Sequence, residues 1–130
     1  MNNDILSTDR GNILVVDDTP ANLRLLAGIL NSKGYKVRPV PSGELALSAA
    51  KGMPPDLILL DIMMPEMDGY EAMQEIRNIS KFKSIPIIAV TAKAMKGDRQ
   101  KCIEAGASDY ITKPVETEQL LSLLRIWLDK

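Results

Sequence analysis

Short strand-like runs recur along this chain, each followed by a longer stretch with helical spacing, and no other feature restricts the fold as tightly. The runs are Asn12–Val16 (NILVV), Tyr35–Val40, Leu57–Leu60 (LILL), Ile85–Val90 (IPIIAV) and Ser108–Thr112. They are too short for core helices, and the first is rich in β-branched residues, so they read as strands. Thr19–Lys33 carries Pro20 at a first helical position and Leu23, Leu26, Ala27 and Leu30 at helical spacing, and Gly34 stops it. Ser42 can cap a second helix ending near Lys51, before Gly52, Pro54 and Pro55. A loop with Pro65 and Gly69 leads into a third helix that runs to about Asn78. Met95–Ala105 reads as a fourth, closed by Gly106 as a left-handed C-cap. Glu116–Leu128 reads as a fifth, with Leu120, Leu121, Leu124 and Leu128 as its core stripe. Parallel neighbours need crossover connections, so this alternation predicts an α/β fold: a five-stranded parallel sheet, doubly wound, with helices on both faces. Pro39 cannot donate to a ladder, which places the second run at an edge.

The chain is long enough to fold on one core. At 14.3 kDa, size scaling gives about 6,800 Å² of folded surface against roughly 20,700 Å² for the extended chain. The longest apolar runs are five or six residues, too short to cross a bilayer. MNNDILSTDR has neither a basic n-region nor a long apolar h-region, so it is not a signal peptide, and a cytoplasmic location is expected. Met1–Arg10 reads as a flexible leader or linker remnant, with the domain proper over residues 11–130. Sixteen basic residues against seventeen acidic argue against direct binding of nucleic acid, and nothing suggests direct membrane contact. One cysteine excludes an internal disulfide. The absence of histidine is more informative, since it excludes histidine-activated nucleophiles and imidazole metal ligands. Any metal must be held by oxygen, which favours a hard cation. Any phosphohistidine must belong to another protein.

In open α/β sheets, ligands bind beyond the carboxyl ends of the strands. The first run ends in Asp17 and Asp18, the third in Asp61, the fourth in Thr91 and the fifth in Lys113. Singly, each has a plain structural reading: an aspartate as a helix N-cap, Asp61 as a turn residue, Thr91 as a strand end, Lys113 as a solvated lysine. Together they do not, because clustered carboxylates repel one another unless a cation relieves them. Asp18 and Asp61, with Asp17 and a backbone carbonyl, can hold Mg²⁺. A carboxylate facing open solvent there can attack phosphorus and form an acyl phosphate. The Thr91 hydroxyl and Lys113 ammonium can neutralise phosphoryl oxygens. Pro114 invites a cis peptide after Lys113, which would turn the chain and direct the lysine inward.

The segments VVDDTPAN, LILLDIMMPEMDGYE, IIAVTA and SDYITKP resemble, in order and spacing, the motifs of the receiver domain of two-component response regulators and hybrid histidine kinases. The resemblance runs from about Asn12 to Leu128 and implies a flavodoxin-like strand order of 2-1-3-4-5. It implies Asp61 as phosphoacceptor, Asp18 as a direct Mg²⁺ ligand, Asp17 as a ligand through water, and the Met63 backbone carbonyl as a further ligand; Mn²⁺ could replace Mg²⁺. It also implies Thr91 as switch hydroxyl, Tyr110 as switch aromatic, Lys113 as phosphate-binding lysine, and the Ala92 backbone N–H as a phosphoryl donor. The implied activity is a phosphorelay step: a phosphoryl group passes from a partner's phosphohistidine to Asp61 and changes the surface of the fourth helix, fifth strand and fifth helix. The implied partners are a histidine kinase or histidine phosphotransfer domain and a downstream effector. Such a module is not a turnover enzyme; it catalyses only its own phosphorylation and dephosphorylation.

Two other classes fit these residues less well. A Mg²⁺-dependent phosphatase of the haloacid dehalogenase type also uses an aspartyl phosphate, but its D-x-D-x-[TV] motif needs a second aspartate that Asp17-Asp18-Thr19 lacks. A flavin or nucleotide site is disfavoured by the acidic first loop DDTPAN, where such sites present glycine or hydroxyls. Trp127 is expected to pack at least half-buried on the fifth helix. Met63, Met64 and Met67 are expected to pack the acceptor loop, with Met63 shielding a phosphoryl group from water. Cys102 is expected to be structural, and Lys93, Lys96, Arg99 and Lys101 to lie on a solvated face.

Overall fold

The computed structural model of the chain describes residues 10–64, 69–91 and 98–128. Five strands, β1 (Asn12–Val16), β2 (Lys36–Val40), β3 (Leu57–Asp61), β4 (Ile87–Thr91) and β5 (Asp109–Thr112), alternate with α1 (Pro20–Ser32), α2 (Gly43–Gly52), α3 (Gly69–Arg77), α4 (Asp98–Ala105) and α5 (Thr117–Leu128). All neighbouring strands are parallel, in the order β2-β1-β3-β4-β5. The expected doubly wound, flavodoxin-like sheet is what the chain forms. Among the described residues, no helix is long and apolar enough to cross a membrane.

Side chains alternate across the sheet, which divides the core into two layers. Ile13, Val15, Leu57, Leu59, Ile88, Val90 and Ile111 face α1 and α5, whose Leu26, Leu30, Leu120, Leu121 and Leu124 cover them. Leu14, Val16, Ile58, Leu60, Ile87 and Ala89 face α2, α3 and α4, meeting Ala46, Ala50, Ala72, Met73, Ile76 and Cys102. All residues of β3 and β4 are buried, as expected for central strands covered on both sides. The partly exposed β2 carries Pro39 at the edge.

Local chemistry explains most boundaries. Pro20 stands at the first position of α1, and the Ser42 side chain caps α2 by accepting from the Leu45 N–H at 3.2 Å. Tyr35, expected in the second strand, instead ends α1: its N–H donates to the Leu30 carbonyl at 3.1 Å across Gly34, which has φ +92°. Ile85 and Pro86, expected at the head of the fourth strand, precede β4, and the Ile85 carbonyl is taken by the Arg77 guanidinium at 2.7 Å. A short 3₁₀ helix at Ser80–Phe82 was not anticipated; it seats Phe82, fully buried, under the sheet. Gly106 has φ +123°, consistent with its expected place as a left-handed cap. The Lys113–Pro114 bond is cis, as expected. Arg10, placed with the leader, lies within the described residues, and its N–H donates to the Gly34 carbonyl. Residues 1–9, Pro65, Met67, Ala92, Lys93 and the expected start of the fourth helix at Met95 lie outside the described residues.

Candidate functional site

Parallel strands put their carboxyl ends at one edge, and the polar residue that ends each central strand arrives there. Asp17 follows β1 directly, and its N–H is held by the Val40 carbonyl at 3.2 Å. Asp61 is the last residue of β3, and its neighbour Ile62 donates to Val90 O at 2.9 Å. Thr91 ends β4 in register with Thr112, and Lys113 follows with its N–H on the Thr91 carbonyl at 2.8 Å. These bonds fix the main chain beneath each functional side chain before any side-chain contact is made.

One carboxylate oxygen from each of Asp17, Asp18 and Asp61 lies within 4.8 Å of the others. Asp17 and Asp61 are each only 2% exposed, while Asp18 faces solvent. Their charge is partly met by Lys113, whose ammonium stands 3.3 Å from Asp61 Oδ2 and 3.8 Å from Asp17 Oδ2. Asp17 is further tied down: its Oδ1 accepts from the Thr19 N–H at 2.9 Å and its Oδ2 from Asn22 Nδ2 at 3.3 Å. It therefore does the structural work of a helix start as well, since the N-cap residue Thr19 makes no side-chain cap of its own.

Asp61 Oδ1 accepts from the Met63 N–H at 3.0 Å, so both its oxygens have partners. The carboxylate does not face open solvent as expected: Asp61 is buried, with the Met63 N–H and the Lys113 ammonium on its oxygens. Burial pushes its pKa above the ordinary carboxylate value of 3.8, and the nearby Asp17 adds to the rise, against the lowering by the Met63 N–H and Lys113. Two buried carboxylates and one ammonium leave the edge electrically unbalanced.

That imbalance is the test of a metal. Three carboxylate oxygens within reach of one point form an oxygen-only donor set, which fits a hard divalent cation such as Mg²⁺. Asp18, being exposed, can complete coordination together with water.

Of the other expected residues, Thr91 is 5% exposed and Tyr110 is partly buried against the α2–α3–α4 layer. Tyr110 pairs with Ala89 and Thr112 with Thr91, so Thr91 and Tyr110 project on one face from adjacent strands. The Met63 side chain is 66% exposed beside the site and Met64 is buried. Ala92 lies outside the described residues. Sequence reasoning misses the role of Gly69, which it places only in the loop before the third helix. A Cβ there would fall 2.5 Å from the Asp61 carbonyl oxygen and the Ile62 Cα. Only glycine lets α3 begin against the strand end that carries Asp61, and a glycine in a loop gives no sign of which backbone it must approach.

A doubly wound parallel sheet with an acidic cluster and a lysine at its carboxyl edge defines a class of open α/β proteins that act at that edge. The particular family follows from comparison. The family model of the response regulator receiver domain matches residues 13–125, and the chain belongs to that family. It is 46% identical over 112 residues to the signal transduction histidine-protein kinase BarA of Escherichia coli, a match covering 86% of this chain and 12% of that protein. It is 42% identical over 113 residues to the response regulator PleD of Caulobacter vibrioides, covering 87% of this chain and 25% of that one. The chain thus spans a quarter or less of these relatives. Among solved structures, the receiver domain of sensor histidine kinase PA1611 from Pseudomonas aeruginosa superposes with a TM-score of 0.86 at 39% identity, covering 92% of this chain and 98% of that one. That structure is described with a magnesium ion coordinated in its active-site cleft. The Vibrio cholerae chemotaxis protein CheY4 superposes with a TM-score of 0.85 at 31% identity, covering 90% and 98%. The chain is a receiver domain of a two-component phosphorelay, a signalling module, and its acidic pocket fits a Mg²⁺-binding phosphoacceptor site. The phosphatase alternative is left without support.

Proposed function

We propose that Asp61 accepts a phosphoryl group from a phosphohistidine on a histidine kinase or phosphotransfer domain, and that the modified domain engages a downstream effector in the cytoplasm. The observation that carries this reading is the meeting of Asp17, Asp18, Asp61 and Lys113 at the carboxyl edge. Asp18, Asp61 and the Met63 carbonyl, with Asp17 through water, would hold Mg²⁺ or Mn²⁺, which supplies positive charge for phosphoryl oxygens. An Asp61 carboxylate oxygen attacks phosphorus, the phosphorus–nitrogen bond breaks, and the donor imidazole leaves with that electron pair. Lys113, already 3.3 Å from Asp61, transfers its hydrogen bond to a phosphoryl oxygen as charge moves outward. The Thr91 hydroxyl and Ala92 N–H bind the remaining oxygens.

The new group adds strong acceptors where a carboxylate stood. Thr91 turns toward one of them, Tyr110 fills the space beside it, and the α4–β5–α5 surface shifts between two arrangements, both present beforehand at unequal populations. Incubation with acetyl phosphate and Mg²⁺, followed by intact-mass measurement, tests the chemistry. The expected result is one phosphoryl increment in wild type and none in Asp61→Asn. An unmodified wild type, folded and Mg²⁺-loaded, contradicts it.

A further inference from the structure

Arg77, the last residue of α3, is not a solvated helix-end arginine. Its Nε donates to Gly106 O at 2.9 Å, and its Nη1 to Phe82 O, Lys83 O and Ile85 O at 3.0, 3.2 and 2.7 Å. Its Nη2 donates to Ser108 Oγ at 3.3 Å, and that hydroxyl also accepts from the Ile87 N–H at 3.1 Å. All five acceptors are neutral, and they come from separate stretches: the 3₁₀ helix and its exit, the approach to β4, the turn after α4, and the residue before β5. A planar fork with fixed donor directions holds such an arrangement in one geometry, which a lysine cannot. The turn after α4 interlocks with it. Gly106 donates to Ile103 O and Ala107 to Cys102 O, both at 3.0 Å, and a Cβ at Gly106 would stand 2.9 Å from Arg77 Cγ.

The rest of α4 is held differently. Among its described side chains only Cys102 is buried, and Arg99, Gln100, Lys101, Ile103 and Glu104 are exposed. Midway along, α4 also meets α3 through the exposed Lys101 ammonium, 4.6 Å above the Tyr70 ring, a contact with little directional demand. The carboxyl end of α4 is thus tied by directional hydrogen bonds, while Arg99, Gln100 and Lys101 stand exposed.

We propose that Arg77 is the pivot of the switch: it locks the carboxyl end of α4 to α3 and to the head of β4, so that phosphorylation moves α4 chiefly at its amino end. This rests on the switching reading above. Backbone amide exchange in the full chain with Mg²⁺, with and without acetyl phosphate, tests it while intact mass reports modification. In wild type the response to phosphorylation falls on residues 98–102, with less than a twofold change at Gly106, Ala107 and Ser108. Arg77→Met still accepts the phosphoryl group, but those three amides exchange at least tenfold faster before the donor is added and respond afterwards. Arg77→Lys, keeping the charge without the fork, behaves like Arg77→Met. Should Arg77→Met not fold, Gly106→Ala opens the same knot from the other side and shows the same spread. A wild-type response as large at 106–108 as at 98–102 overturns the pivot alone, as does Arg77→Met exchanging like wild type. No phosphoryl increment in mass overturns the proposed function, and the pivot with it.

Discussion

A buried carboxylate, Asp61, and a half-buried guanidinium, Arg77, sit at different places in this molecule, and removal from water acts against both charges. It raises the pKa of Asp61 at the carboxyl edge and lowers that of Arg77 at the end of α3. Arg77 meets the penalty with five hydrogen bonds to neutral acceptors. Asp61 meets it with one N–H and one shared ammonium while Asp17 and Asp18 stand beside it. A half-buried charge satisfied by dipoles belongs to the architecture. A buried charge kept next to others of the same sign is held for something that arrives from solution.

Substitutions in either region test this difference. Arg77→Met should have the largest effect on folding, because it strips partners from several enclosed carbonyls at once; a loss on the order of 2–3 kcal/mol is expected from urea unfolding. A variant within a few tenths of a kcal/mol of wild type would place Arg77 among ordinary surface residues. At the other region, Asp18→Ala should leave the fold intact, since Asp18 is exposed, yet weaken Mg²⁺ binding by roughly tenfold or more in a calorimetric titration. Unchanged affinity would remove Asp18 from the ligand set. Thr91→Ala should accept phosphoryl to a similar extent while the exchange response in α4 disappears; a retained response would assign the coupling elsewhere. The smallest effect belongs to Met63, exposed beside the site: Met63→Asn should hasten loss of the phosphoryl group by about a few-fold, through easier entry of water. An equal decay rate would show that the thioether shields nothing.

Much of the carboxyl edge was legible because it is built from strand ends. An apolar run must stop at a polar residue, and parallel pairing then forces Asp17, Asp61, Thr91 and Lys113 to one side. The order of the strands was not legible from periodicity, which says that the pairing is parallel and not who pairs with whom; it came from the resemblance. The Arg77 knot was invisible for a different reason. Its acceptors are main-chain carbonyls at 82, 83, 85 and 106, and a carbonyl has the same identity in every residue type. Pro86, which has no N–H to give a central ladder, and the Arg77 hold on the Ile85 carbonyl together start β4 at Ile87. Phe82 lay in the polar stretch Ser80–Ser84, and nothing local marks it as core. Trp127 packs partly buried on α5, as its spacing suggested, but its Nε1–H donates to Asp109 Oδ2 at 3.2 Å, a partner 18 residues away that no pattern identifies.

The claim beneath these contrasts is that the carboxyl edge is strained by its own charge until a cation joins it, and unfolding free energy at neutral pH reads this directly. Because burial disfavours the ionised form of Asp61, its unfavourable contribution is absent below the ordinary value of 3.8 and grows as pH rises toward the raised value in the fold. Asp61→Asn should therefore be more stable than wild type without metal, by an amount on the order of 1 kcal/mol, with no such advantage in strong acid. Saturating Mg²⁺ should reverse the ranking at neutral pH, since a cation that binds only the folded wild type adds about 2.7 kcal/mol at a hundredfold excess over its Kd. A wild type that is the more stable protein with and without Mg²⁺ alike would contradict the account.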